Sequence, residues 1–219
     1  MRTLPLFPLP EVVLFPETLL PLHVFEPRYR ELLQDALEGE GIIGVQTIDP
    51  ADDPGDGATP RLLPIGCAGE VVEYVPLEDG RSNIVLKGTF RYRTLREIPG
   101  GAYRRAEVLP SPIEPLPPGD ERVPGRRDLR RLLARVVARL AESVGRESAK
   151  DLDPSLSDEG LVNEALSRLG LPPSERYRLL AMDRLSERYA WTLDHVVALQ
   201  HRIDVLAPYR RQNVDPRTN

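Results

Sequence analysis

The chain has 219 residues and a formal net charge of −5. This length suits one large domain or two small ones, and a hydrophobic content of 41% is sufficient for a packed core. The acidic balance argues against a dedicated nucleic-acid-binding protein, and the single cysteine, Cys67, excludes an internal disulfide.

The N-terminal stretch lacks the unbroken apolar core of a signal peptide. Prolines interrupt it at positions 5, 8, 10 and 16 in MRTLPLFPLPEVVLFP. No apolar run approaches the ~20 residues that a membrane-spanning helix needs. We therefore expect a cytoplasmic protein that does not enter the membrane.

Residues 1–109 have the pattern of β-structure interrupted by one helix. The predicted strands are short runs rich in β-branched and aromatic residues: EVVLF, TLLPLHVF, GIIGVQTI, IGCAGEVVEYV, NIVLKGTFRYRTLREI and YRRAEVL. Asp79-Gly80 is typical of a hairpin turn between two of them. In the longest run, Ile84, Leu86, Phe90 and Tyr92 alternate with more polar residues, as a half-buried strand requires. Several such strands at this spacing indicate a closed or nearly closed barrel.

The exception is a predicted helix at residues 27–38. Its apolar residues recur at helical spacing, Pro27 suits the first helical position, and Gly39 is placed to end it. The segment FEPRYR, residues 25–30, is therefore interpreted as a joint between a strand and a helix rather than as a catalytic site.

Beyond residue 109 the pattern changes. Residues 110–125 are proline-rich and predict a stiff linker. From residue 126 onward, apolar residues at helical spacing predict four helices, the second capped by Ser157 and stopped by Gly170. Short links between them favour an antiparallel bundle. The predicted domains are a β-barrel at 1–118, a helical bundle at 119–209 and a flexible tail at 210–219.

Catalytic and metal-binding patterns are not found. A nucleotide-binding P-loop needs a lysine between glycine and Ser or Thr, and neither Lys87 nor Lys150 has those neighbours. Ser148 lies close to Lys150, but their polar surroundings offer nothing to lower a lysine pKa for a Ser–Lys dyad. The acidic run 49–57 lacks the spacing of a calcium loop, and His195 and His201 are too far apart to share a helix face as metal ligands. We expect no metal, no cofactor and no enzymatic activity.

Three stretches carry a resemblance to a known family. LPLFPLPEVVLFPETLLPLHVFEPRYRELLQDAL resembles the opening of the N-terminal domain of Lon-type ATP-dependent proteases, especially its free-standing bacterial versions. GCAGEVVEYVPLEDGRSNIVLKGTFRYR is similar to that family's conserved glycine and arginine stretch, and LVNEALSRLGLPPSERYRLLAMDRLSERYAWTLDHVVAL to its helical half. The three occur in the family's order.

The resemblance implies an α+β protein with a PUA-like β pseudo-barrel carrying one helix, followed by an all-α helical bundle. It implies a non-catalytic polypeptide-binding or adaptor module whose partners are unfolded or partly folded polypeptides. A separate ATPase or protease partner and self-association are left open. The alternatives are an RNA-binding PUA-like protein, by analogy of fold alone, and a small-molecule-binding module of the cereblon type.

The residues expected to contribute to binding are aromatic and arginine side chains near the joint and the hairpin. They are Phe25, Arg28, Tyr29, Tyr74, Arg91 and Tyr92. For each one taken singly, core packing or surface ion pairing is the simpler interpretation.

Overall fold

The computed structural model describes residues 1–52, 59–116, 129, 131–136, 138, 153 and 155–210, with side chains as far as residue 205. Six strands are found in these residues: β1 Arg2–Leu9, β2 Leu19–Val24, β3 Ile42–Ile48, β4 Leu62–Pro76, β5 Ser82–Ile98 and β6 Arg105–Pro110. The helices are α1 Pro27–Glu38, α2 at residues 131–136, α3 Asp158–Arg168, α4 Pro173–Ala181 and α5 Leu185–Arg210. The mixed α+β class expected from the sequence is confirmed.

Five of the strands close into a ring. β1 pairs with β3 in parallel, and antiparallel pairings join β3 to β4, β4 to β5, β5 to β6 and β6 back to β1. β2 lies outside the ring, because it pairs only with the first half of β5. The end of β4 and the start of β5 thus extend beyond the ring, and β2 pairs with this part of β5 as an edge strand.

Helix α1 forms where the sequence predicts it. Pro27 occupies its first turn, and Gly39 follows its last residue with a backbone N–H directed at the carbonyl oxygens of Asp35 and Ala36. Its buried face consists of Tyr29, Leu32, Leu33 and Ala36, which join a core cluster with residues of β1, β3, β4 and β5. Burying this stripe against the sheet stabilises a twelve-residue helix that would be marginal alone.

A second core cluster is built around Tyr92 of β5, together with residues of β1, β4 and β6. The Tyr92 ring occupies the space left by the missing side chains of Gly44 and Gly66 on neighbouring strands. Its hydroxyl donates to the Val45 carbonyl or to Gln46 Oε1, which lie at 3.3 and 3.0 Å. Burial raises the pKa of the Tyr92 phenol well above its ordinary value, with the nearby Cys67 thiol adding to the effect.

The N-terminal segment differs from the prediction. EVVLF, residues 11–15, is not a strand, although most of it is buried, and the segment turns at Glu17, whose φ is 63°. The first strand is instead β1, where no strand was predicted. Backbone pairing between Gly88 and residues 17 and 18 holds the irregular segment, so an apolar run can enter the core without a strand ladder.

The chain divides into two compact units, each described separately. The first contains residues 1–114 and also 170–184, including α4. The sequence had grouped α4 with the other C-terminal helices. The predicted domain boundary at 118/119 and residues 211–219 of the tail predicted at 210–219 lie outside the described residues, whereas Arg210 is the last residue of α5.

A buried arginine explains why residues 170–184 group with the sheet. The Arg91 guanidinium on β5 donates to the carbonyl oxygens of Ser111 at 2.7 Å and Leu180 at 2.9 Å, and to that of Met182. It also donates to Asp183 Oδ1 at 2.6 Å. A guanidinium can be buried only when its donors are satisfied, and this segment supplies the acceptors at Leu180, Met182 and Asp183.

The second unit contains the described parts of 115–169 and 185–219. Ser157 caps α3 as predicted, since its hydroxyl accepts from the Gly160 N–H at 2.9 Å. α3 packs on α5, where the fully buried Arg188 donates to Asn163 Oδ1 at 2.9 Å. Much of the predicted helix beginning at residue 126 lies outside the described residues.

Candidate functional site

Two of the six candidate residues are buried in the first unit. Arg91 is 3% exposed and Tyr92 is fully buried, and both are occupied by the hydrogen bonds described above. Neither side chain can reach a ligand at the surface in this structure. Their contribution is to hold the fold.

Three more candidates lie at the joint, where β2 ends at Val24 and α1 begins at Pro27, as interpreted from the sequence. Arg28 lies over the ring of Tyr29, and its Nε donates to Glu26 Oε2 at 2.9 Å. Tyr29 packs edge-on against Phe7, and burial raises the pKa of its phenol, which Arg28 partly offsets. Phe25 is 57% exposed beside His23. The joint is therefore a packed turn that leaves Phe25 exposed.

Tyr74, the sixth candidate, borders a groove of 670 Å³ between α1 and the β4–β5 hairpin. The hairpin contributes Tyr74, Gly80 and Ser82. The helix contributes three apolar residues and a set of polar side chains: Pro27, Leu33 and Leu37, with Arg30, Glu31, Gln34 and Glu38. A volume of this size falls within the range of ordinary ligand sites.

The apolar part of the groove is accessible. Tyr74 is 47% exposed and Leu37 is 40% exposed, whereas Leu33 is buried beneath them. On a helix, residues at i, i+3 and i+7 share a face, so Arg30, Leu33 and Leu37 form one ridge. Glu31, Gln34 and Glu38 form the next ridge by the same rule. The groove therefore has an apolar floor and a carboxylate-bearing rim.

The hairpin turn gives the groove a fixed end. Gly80 adopts a φ of +78°, and the Arg30 guanidinium lies directly against it, where a side chain would collide. Asp79 accepts from the backbone N–H of Arg81 at 3.0 Å and from its side chain at 2.6 Å. These hydrogen bonds lower the pKa of the Asp79 carboxyl to about 2. The turn is thus fixed by Asp79 and Arg81, and the Arg30 guanidinium lies at the end of the groove, where it can contact a ligand.

On β2, β4 and β5, the face opposite the groove forms a second apolar surface, which we call the open sheet face. It consists of Leu19, Pro21, Val72, Val75 and Val85, and a shallow depression of 350 Å³ lies on it. Leu19 and Val75 are both more than half exposed. The register aligns Val75 with Asn83 and His23, and His23 Nδ1 lies 2.7 Å from Asn83 Oδ1.

Sequence reasoning missed most of the groove. Arg30, Glu31, Gln34 and Glu38 are typical of the solvent-facing side of an amphipathic helix, so nothing in the pattern singles them out. The available signal was Leu37, an apolar residue at the margin of the buried stripe. Tyr74 was among the candidates because it is an aromatic residue near the predicted hairpin.

Within the described part of the chain, no group of three or more His, Cys, Asp or Glu side chains could hold a metal ion. Of the helices described there, none is both long and apolar enough to cross a membrane.

Comparisons with known proteins identify relatives of both sequence and fold. Residues 3–198 match the family described as the ATP-dependent protease La (LON) substrate-binding domain. Lon protease 2 of Desulfotalea psychrophila is 28% identical over 192 residues, and Lon protease of Paraburkholderia phytofirmans is 29% identical over 207 residues. These matches cover 87% and 92% of this chain, but 24% of each relative. The chain thus spans about a quarter of the length of the curated relatives it matches.

Solved structures show the same relationship. The Lon N-terminal domain protein from Xanthomonas campestris is 25% identical with a TM-score of 0.58, and the match covers 90% of this chain and 98% of that one. The N-terminal domain of Mycobacterium avium complex Lon protease has the same fold, with a TM-score of 0.55 at 15% identity. The family match spans most of the chain, and this protein belongs to the Lon substrate-binding domain family.

Proposed function

We propose that this protein is a non-catalytic module that binds exposed segments of unfolded polypeptides, using the groove between α1 and the β4–β5 hairpin. Family membership supports polypeptide binding. The observation that carries the choice of surface is the pairing of exposed Leu37 and Tyr74 across a groove in the first unit. Surface-exposed apolar groups rimmed by polar ones are typical of interaction sites.

The groove suits a short extended segment. From Arg30 to Leu37 the helix rises about 10 Å, a length that about three residues of extended chain span. Such a contact removes little apolar surface from water, so each one is weak. Useful affinity then comes from several segments of one unfolded chain or from assembly of several copies.

The finer parts of the proposal concern class and cellular context. We assign the first unit to the PUA-like barrels on its ring of five strands and the second to a helical bundle on the packing of α3 against α5. We further propose a cytoplasmic adaptor that passes clients to a separate ATPase or protease. Casein that stays intact after incubation with the purified protein supports the non-catalytic assignment, and steady cleavage contradicts it.

The test is a binding titration with a dye-labelled neutral peptide rich in leucine and phenylalanine, followed by fluorescence anisotropy. The double substitution Leu37→Ser and Tyr74→Ser is expected to weaken binding by about fivefold or more, because it removes two apolar contacts. The matched control is Leu95→Ser with Leu109→Ser, two apolar residues of similar exposure, 46% and 42%, elsewhere in the first unit.

Three outcomes separate the alternatives. Selective weakening by the groove variant supports the proposal. Equal weakening by the control shows non-specific adhesion and contradicts it. If only Leu19→Ser with Val75→Ser weakens binding, the peptide occupies the open sheet face and the groove is excluded.

A further inference from the structure

The rim of the groove carries negative charge that the described residues do not neutralise. Glu31 and Glu38 form no ion pair with the described residues, although Glu38 accepts a hydrogen bond from Gln34 at 3.2 Å. The last turn of α1 contains no basic residue, so the negative end of the helix dipole adds to this field.

The other carboxylates between residues 26 and 40 are already engaged. Asp35, on the flank away from the groove, accepts from the Tyr103 hydroxyl at 2.6 Å, and Glu40 pairs with Arg2. Glu26 pairs with Arg28 at the joint. The two unpaired carboxylates are thus the ones that line the groove, which is where an incoming cation would meet them.

One cation also lines the groove, and its position matters. The Arg30 guanidinium lies against Gly80 at the hairpin turn and, within the described residues, forms no ion pair. Glu31 follows it in sequence, while Glu38 is about 12 Å further along the helix axis than Arg30. The groove lining is therefore net negative, and its end away from the hairpin turn carries a carboxylate with no guanidinium beside it.

We propose that this groove selects, among unfolded polypeptides, apolar segments that carry lysine or arginine. This inference rests on the proposed function. The apolar side chains of the segment pack on Leu33, Leu37 and Tyr74, and its cationic side chains reach the carboxylates of Glu31 and Glu38. The two carboxylates are about 10 Å apart along the helix, and basic side chains three residues apart in a polyproline II segment lie on one face with a similar separation, about 9 Å.

The test uses the full chain and three dye-labelled peptides of one length. They share a Leu-Phe centre and differ at two flanking positions: Lys-Leu-Phe-Lys, Gln-Leu-Phe-Gln and Glu-Leu-Phe-Glu, each within the same neutral sequence. At low ionic strength the lysine peptide is expected to bind about fivefold more tightly than the glutamine peptide, because exposed ion pairs contribute modestly. The glutamate peptide should bind most weakly. The preference should shrink as added salt screens the charges.

The double variant Glu31→Gln and Glu38→Gln identifies the groups responsible. It should reduce the ratio between lysine and glutamine peptides to about one. The matched control, Glu11→Gln with Glu70→Gln, changes net charge equally at positions outside the groove lining. It should leave the ratio unchanged.

The failures of this inference and of the proposed function are distinguishable. If the glutamine peptide binds at the groove but all three peptides bind equally, charge selection is wrong and the proposed function stands. If the glutamate peptide binds most tightly, Arg30 dominates and the inference is overturned. If no peptide binds at high concentration, the proposed function itself fails. A preference that the control variant also abolishes reflects overall charge and contradicts a groove-specific origin.

Discussion

Tyr92 shows how two missing side chains make room for one large one. Its ring lies against Gly44 and Gly66, and its hydroxyl is within hydrogen-bonding distance of the Val45 carbonyl and of Gln46 Oε1. A methyl group added at Gly44 would lie 2.7 Å from the Tyr92 hydroxyl oxygen and 3.0 Å from a methyl of Leu6. The glycine is thus required by close approach rather than by an unusual backbone conformation.

We expect Gly44→Ala to destabilise the protein by about 2 kcal/mol, because the core is overpacked. Tyr92→Phe should cost about 1 kcal/mol through its lost hydrogen bond. The double variant should cost clearly less than the sum, since removing the hydroxyl relieves the closest collision. Urea unfolding of the four proteins measures this coupling.

Gly88 provides the contrasting case. A methyl group there would collide with the backbone carbonyl of Phe15, which no side-chain substitution can remove. Gly88→Ala combined with Tyr92→Phe should therefore be additive. Strict additivity at Gly44 as well would show that the Tyr92 hydroxyl is not the group that limits the space.

At the level of elements, α1 is fixed to the sheet by its apolar stripe and by one polar contact. Tyr103, in the loop before β6, donates its hydroxyl to Asp35 Oδ2 at 2.6 Å. Burial, the hydrogen bond to Asp35 and the charge of the Asp35 carboxylate together raise the pKa of the Tyr103 phenol to about 12. This contact lies on the flank of α1 opposite the groove. It therefore helps to fix the position of α1, which forms one side of the groove.

The raised pKa of Tyr103 predicts that the stability of the protein depends on pH in the alkaline range. A phenol whose pKa is higher in the folded state binds its proton more tightly there, so its stabilising contribution is complete below pH 10 and is lost as pH rises from 10 to about 12. Tyr103→Phe should flatten this part of the stability curve. Asp35→Asn should lower the midpoint of the Tyr103 phenolate absorbance, isolated as the difference from the Tyr103→Phe chain.

Glu38→Gln is the control for that titration, because Glu38 is three residues from Asp35 and does not contact Tyr103. It should leave the phenolate midpoint where it is. An unchanged midpoint in the Asp35→Asn protein would mean that burial alone raises the pKa of Tyr103, and that the hydrogen bond does not hold the helix.

How far the sequence predicts the elements depends on how local their causes are. α1 was predicted at its observed limits because its stripe, Pro27 and Gly39 all lie within a dozen residues. β1 was missed because Pro5 and Pro8 are local breakers, whereas its partners on β3 and β6 are about 40 to 100 residues away. The groove was missed for the same reason: Leu37 and Tyr74 line one groove only when the hairpin arm folds past the helix.

For the whole molecule, the least predictable feature is that residues 170–184 group with the sheet. Strand alternation places Arg91 on the same face of β5 as Lys87, and Arg91 was expected to contribute to binding. Its acceptors at Leu180 and Met182 are 89 and 91 residues away. The helical pattern in residues 173–181 correctly predicts a helix. It does not show to which of the two units that helix belongs.

Arg91→Ala should therefore affect the covering segment more than the sheet. Removing the guanidinium leaves buried carbonyl oxygens at Ser111, Leu180 and Met182 without a donor, which we expect to cost about 3 kcal/mol. The control on the same strand is Arg96→Ala. Arg96 forms an ion pair with Glu107 but is largely exposed, so its loss should cost less than about 1 kcal/mol.

Hydrogen exchange on the full chain locates the effect. In Arg91→Ala, backbone amides of residues 174–184 should exchange about thirtyfold faster or more, because the segment can open without unfolding the ring. Amides of β3 and β4 should change less. If both regions accelerate equally, the segment and the sheet unfold as one unit, and Arg91 is a core residue rather than the clamp that holds α4. If neither accelerates, the apolar contacts of Leu179 and Leu180 suffice, and the buried guanidinium contributes to specificity of docking instead of its strength.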